Sequence, residues 1–130
     1  MVIVFVDDEE KILSSLRRLM NNLCDRYRVY YFTNAKDALD KIDNISADMI
    51  VADVKMPQMD GIEFLEIVKD RYPDTIRVLL TGYSDQEKFD IGTKLSHFFL
   101  WKPVSFEALK TIFTLFEKQN TLKIQNYIRW

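Results

Sequence analysis

DMIVADVKMPQMDGIEFL, residues 48–65, is the stretch whose pattern decides the fold. Its first part, Asp48 to Ala52, is a nearly continuous apolar run, the pattern of a central parallel strand covered on both faces, and Asp53 closes it. Its last part opens the helical spacing of Ile62, Leu65 and Val68. Outward from there the alternation repeats. Strand-like runs occupy Val2 to Val6, Arg28 to Phe32, Ile76 to Leu80 and His97 to Trp101. Helical stripes lie between or after them: Ile12, Leu16, Leu19, Met20 and Leu23; Ala35, Ala38, Leu39 and Ile42; and Phe106, Leu109, Ile112, Phe113 and Phe116. Ser105 is placed to cap the last of these, with Glu107 at the positive end of its dipole. Between Ser84 and Leu95 the pattern thins to Phe89, Ile91 and Leu95 around Gly92, so only a short helix is expected. Strand and helix alternating in this way imply an α/β fold, a doubly wound five-stranded parallel sheet with right-handed crossovers and helices on both faces.

Composition narrows the class. A chain of 130 residues suits one compact domain and is too short for that domain plus a full-sized output domain. Hydrophobic residues at 48% and charged residues at 29% exclude a disordered or membrane-spanning chain, so no membrane insertion is expected. The 18 basic and 20 acidic side chains leave a net charge of -2, which gives no pull toward nucleic acid. Cys24 is the only cysteine, which excludes an intrachain disulfide, and the apolar start is cut short by Asp7, Asp8, Glu9 and Glu10. A cytoplasmic location is the expectation.

In a doubly wound sheet, ligands bind beyond the carboxyl ends of the strands. Asp7 and Asp8 follow the first strand, Asp53 ends the third, Thr81 the fourth and Lys102 the fifth. Three carboxylates crowded together repel one another, and a hard divalent cation with oxygen ligands, Mg²⁺, relieves that repulsion. A cation beside the Lys102 ammonium suits a phosphoryl group, and Asp53 is the natural nucleophile because a carboxylate ionised at neutral pH needs no general base. Each residue also has an ordinary reading. Asp8 ahead of Ile12 looks like a helix N-cap, Lys102 before Pro103 like a turn residue, and Thr81 before Gly82 like a turn. Their joint placement at one end of the sheet favours the chemical reading.

Over about Val2 to Lys118 the chain resembles the receiver domains of two-component response regulators, of the chemotaxis-regulator type. The resemblance rests on the acidic pair in VFVDDE, on IVADVKMPQMDGIEFL, on LLTGY and on FFLWKP. It implies a flavodoxin-like sheet of order 2-1-3-4-5, with residues 1–118 as the receiver and 119–130 as a tail or the start of a linker. It further implies that Asp53 accepts a phosphoryl group from a histidine kinase. Asp8, Asp53 and the Lys55 carbonyl would bind Mg²⁺ directly, with Asp7 acting largely through water. Lys102 would pair with the acyl phosphate, Thr81 would donate its hydroxyl to it, and the Lys102–Pro103 peptide would be cis. Thr81 and Phe99 match the family's switch pair, although Phe99 lacks the hydroxyl of the tyrosine often found there, and core packing is its ordinary reading. Lys55 and Tyr83 flank the approach of the attacking water. The signal would leave through the surface of the fourth helix, fifth strand and fifth helix, toward a downstream protein or an output domain, with a homodimer also open.

Two other functions stay open. A scaffold that works without phosphorylation would need none of these residues, yet they are present. An aspartyl phosphohydrolase needs an acid two residues after its nucleophile, where this chain has Lys55. The resemblance to receiver domains implies instead a domain that catalyses its own phosphorylation and dephosphorylation without being an ordinary turnover enzyme. Trp101 beside Lys102 either covers the pocket's flank or offers an aromatic contact to a partner. The apolar residues of the tail, from Leu122 to Trp130, read as a continued helix, a strap or a peptide for a partner, while His97 and Cys24 read as structural. The sequence names neither the kinase nor the target.

Overall fold

The computed structural model describes residues 1–23, 27–82, 92 and 94–129, with the side chains of its last helix described as far as Lys118. Five strands, β1 (Val2–Val6), β2 (Arg28–Phe32), β3 (Met49–Asp53), β4 (Ile76–Thr81) and β5 (Phe98–Trp101), form one parallel sheet in the order β2-β1-β3-β4-β5. Among the described residues, the helices that accompany it are α1 (Glu10–Asn21), α2 (Ala35–Ile42), α3 (Gly61–Arg71) and α4 (Phe106–Arg129). The expected helix between Ser84 and Leu95 lies largely outside the described residues, as do Cys24 and Tyr83, and only Gly92, Lys94 and Leu95 of it are described, with helical backbone. The terminal helix, fifth in the sequence reading, is therefore α4, and its backbone continues through the tail to Arg129.

The two faces of the sheet follow from the period-two alternation of strand side chains. Ile3, Phe5, Met49, Val51, Val78 and Leu80 pack against α1 and α4 through Leu13, Leu16, Leu109 and Phe113. Val4, Val6, Ile50, Ala52 and Leu79 point the other way, against Ala38 of α2 and Phe64, Leu65 and Val68 of α3. Each fully buried large side chain here, such as Phe5, Phe64 or Phe113, contributes about 1.5–3 kcal/mol on leaving water. Because β1, β3 and β4 are covered on both sides, they are the continuous apolar runs of the sequence.

Capping residues start the helices where the sequence stops being strand-like. Asn34 accepts from the Asp37 amide at 2.8 Å, and Asp60 from the Glu63 amide at 2.9 Å. Ser105 accepts from the Ala108 amide at 3.1 Å, as its position led one to expect. At α1 the N-cap is Glu9 rather than Asp8, and its side chain makes no capping hydrogen bond. The ordinary reading of Asp8 as a cap is thereby replaced: the turn is set one residue later, by Asp7 Oδ1 accepting from the Glu9 amide at 2.9 Å.

Candidate phosphoryl-transfer site

β1 and β3 are neighbours, so the residues that follow Val6 and Ala52 emerge side by side at the carboxyl edge of the sheet. That register brings Asp7, Asp8 and Asp53 together, with one oxygen from each within 4.8 Å of the others. Asp7 and Asp53 are buried, and Asp8 is exposed. From the other side β5 delivers Lys102, whose own amide donates to the Thr81 carbonyl at 2.9 Å. The Lys102 Nζ lies 3.0 Å from Asp7 Oδ2 and 3.0 Å from Asp53 Oδ1, and the peptide that follows it, to Pro103, is cis.

The backbone around Asp53 is tightly held. Gly61 opens α3 with its amide donating to the Val54 carbonyl at 2.8 Å. A Cβ at this position would lie 2.0 Å from the Asp53 carbonyl oxygen, so only glycine lets the helix start this close to the strand end.

Electrostatics mark the cluster as unsatisfied. Burial first, and then the charge of Asp7, push the Asp53 carboxyl up to about 7 against the pull of Lys102. Burial also raises Asp7, opposed by the Glu9 amide and by Lys102. For Lys102 burial acts downward, but the two carboxylates beside it prevail and raise it. The surroundings of Asp53 thus oppose the ionised form that the sequence reading expects of it, and a bound cation would favour that form. Asp7 Oδ2 is buried with Lys102 as a charge neighbour and no hydrogen-bond partner. Three converging carboxylates, two of them buried, with the Lys102 ammonium shared between Asp7 and Asp53, are the oxygen donor set that a hard divalent cation fits.

The remaining expected residues are placed as follows. Thr81 ends β4 beside β3, buried, with its hydroxyl 3.3 Å from the Gly82 carbonyl oxygen. Phe99 pairs with Leu79 across β4 and β5, is half-buried, and leans on the side of Gly92, where a Cβ would come within 3.2 Å of its ring. Lys55 follows the end of β3 with an exposed side chain. Trp101 is 46% exposed at the outer end of β5.

Two residues escaped the sequence reading. Glu9 reaches Lys102 Nζ at 3.4 Å, and its only trace in the sequence is membership of the acidic run after β1. Arg77, the one charged residue in the apolar run of β4, is buried and donates to the carbonyls of Leu95 at 2.6 Å, Thr75 at 3.1 Å and Pro73 at 3.2 Å. Beside it the Arg77 amide donates to His97 Nδ1 at 3.0 Å, and the His97 amide returns a bond to the Arg77 carbonyl at 2.7 Å.

The family model described as the response regulator receiver domain matches residues 3–114. The chain belongs to the response regulator receiver family. Among curated relatives of this receiver, the hydrogenase transcriptional regulatory protein HoxA of Cupriavidus necator is 31% identical over 90 residues, covering 69% of this chain and 18% of that protein. The receiver spans less than half the length of each curated relative reported, the largest share being 49%. Among solved structures, an uncharacterized protein from Neptuniibacter caesariensis superimposes with a TM-score of 0.84 at 34% identity, over 96% of this chain and 93% of that one. The signal receiver domain of an HD domain-containing protein from Pseudomonas fluorescens Pf-5 gives 0.85 at 26%, over 95% and 91%. No helix among the described residues of the receiver is long and apolar enough to cross a membrane.

Proposed function

We propose that this receiver is a phosphorylation-activated switch in which Asp53 takes a phosphoryl group from the phosphohistidine of a histidine kinase, with Mg²⁺ bound. The observation that carries the reading is Asp53 held 3.0 Å from Lys102 and beside Asp7 and Asp8, at the sheet edge where family members carry their phosphoacceptor. Asp8, Asp53 and the Lys55 carbonyl would hold the ion, and Asp7 would act largely through water. When bound, the ion neutralises charge on the transferring phosphoryl oxygens and brings the Asp53 carboxyl back toward its ordinary ionisation.

The protein's own groups do the rest by position. An Asp53 oxygen bonds to phosphorus while the donor's nitrogen leaves with the electron pair of the broken P–N bond. Lys102 balances the charge gathering on the phosphoryl oxygens, and the Thr81 hydroxyl turns to donate to one of them. Movement of Thr81 would change the packing available to Phe99, and the signal would leave through β5, α4 and the segment before β5 toward an output domain or separate protein. Lys55 and Tyr83 would then set how readily water reaches the acyl phosphate.

Incubation with Mg²⁺ and acetyl phosphate, followed by intact mass, should show one added phosphoryl group, lost in Asp53→Asn and in EDTA. An unmodified wild-type chain would favour a scaffold that works without phosphorylation, and steady release of phosphate from assorted esters would favour a hydrolase.

A further inference from the structure

Lys102 has a third carboxylate, and it differs from the other two. The Asp7 side chain is fully buried and that of Asp53 is 4% exposed, whereas Glu9 approaches the same Nζ from the solvent side with 60% of its side chain exposed. Glu9 occupies the N-cap position of α1, where a side-chain oxygen ordinarily accepts from the helix's own amides, yet it makes no such bond. Its carboxylate is directed instead across 93 residues of sequence to the ammonium. A charge at the mouth of a site acts on what enters, and one that shares the site's cation competes for it.

We propose that Glu9 is an electrostatic gate: it occupies the outer side of the Lys102 ammonium and repels an incoming anionic phosphodonor, so that it slows phosphoryl entry while leaving the chemistry at Asp53 intact. The inference rests on the phosphorylation reading above. In the step concerned, an Asp53 oxygen forms its bond to phosphorus as the bond from phosphorus to the acetate oxygen of acetyl phosphate breaks, and acetate departs with the electron pair. Before that, a donor phosphoryl oxygen has to displace Glu9 from Lys102, against the charge of Glu9 itself. Glu9 is thus a positioning residue for Lys102 and takes no part in bond making.

The rate of phosphorylation by acetyl phosphate in Mg²⁺ tests this in wild type, Glu9→Gln and Glu9→Asp. Glu9→Gln should react about threefold faster at low ionic strength, and the advantage should shrink as salt shortens the screening length to about 3 Å near 1 M. The advantage should also be smaller with phosphoramidate, which carries one negative charge fewer, and Glu9→Asp should stay near the wild-type rate. Equal rates for wild type and Glu9→Gln, an acceleration indifferent to salt and donor charge, or an equally fast Glu9→Asp would each overturn the gate. A wild-type chain that takes no phosphoryl group would overturn the phosphorylation reading and the gate with it, whereas phosphorylation with no effect of Glu9 overturns the gate alone.

Discussion

Asp53 is held in a state that the apo protein does not favour. Its ordinary value of 3.8 is raised to about 7 by burial and by Asp7, so the folded chain binds a proton there that the unfolded chain has already released. A group raised in the folded state contributes stability fully at pH below 3.8 and loses it as pH climbs through about 7. Asp7 is shifted in the same direction and adds to the trend, while Lys102, raised in the folded state, keeps its contribution throughout this window. Denaturant midpoints in EDTA should therefore fall between pH 4 and pH 7, and Asp53→Asn should flatten the decline and gain about 1–3 kcal/mol at neutral pH. A profile equally steep in Asp53→Asn would mean that the buried charge lies elsewhere.

At the scale of elements, the sheet edge that carries the acidic cluster and the opposite edge are tied down by different means. At the carboxyl edge, the carboxylates at the ends of β1 and β3 converge on the Lys102 ammonium. At the amino edge of β4, Arg77 does the reverse: its guanidinium satisfies three carbonyls, among them that of Leu95, and so joins the segment before β5 to the strand. Burial lowers its pKa, and no acidic side chain faces it at ion-pair distance among the described residues. The bonds to backbone are what make its burial tolerable. Arg77→Met should lose about 2–4 kcal/mol of unfolding free energy, since buried carbonyls are left without donors. Amide exchange should accelerate first at Ser96 and His97. A loss under about 0.5 kcal/mol would show that water replaces the guanidinium without penalty.

For the molecule as a whole, an ion held at the acidic edge, as proposed, would make folding and ion binding one equilibrium. Any ligand that binds the folded chain and not the unfolded one adds RT ln(1 + [L]/Kd), about 2.7 kcal/mol at a hundredfold excess over Kd. Mg²⁺ should raise the thermal midpoint by that relation, with a gain that grows from pH 4 to pH 7 as the carboxylates ionise. Asp8→Ala and Asp53→Asn should each abolish most of the gain, and a midpoint in wild type indifferent to Mg²⁺ would remove the ion from the account. The same covered sheet that shapes this edge leaves β2 and β5 as its rims, and places Trp101 exposed at the end of β5 next to Lys102.

How much of this could be read beforehand depends on the range of the interaction. The five strands and the stripes of α1, α2, α3 and α4 are local patterns, a period of two or 3.6 or a run without polar interruption, and they survive in the one-dimensional chain. Asp7, Asp8, Asp53, Thr81 and Lys102 were legible for the same reason: each stands where an apolar run stops, and a parallel sheet brings such stops to one edge. The sequence by itself thus determined the fold class and which polar residues share the carboxyl end of the sheet. Tertiary structure alone decided that Glu9 turns away from its helix to Lys102, that burial and Asp7 push the Asp53 carboxyl up, and that Arg77 donates to backbone carbonyls. Those outcomes depend on burial and on approaches of a few ångströms between residues far apart in the chain, and no local pattern encodes either.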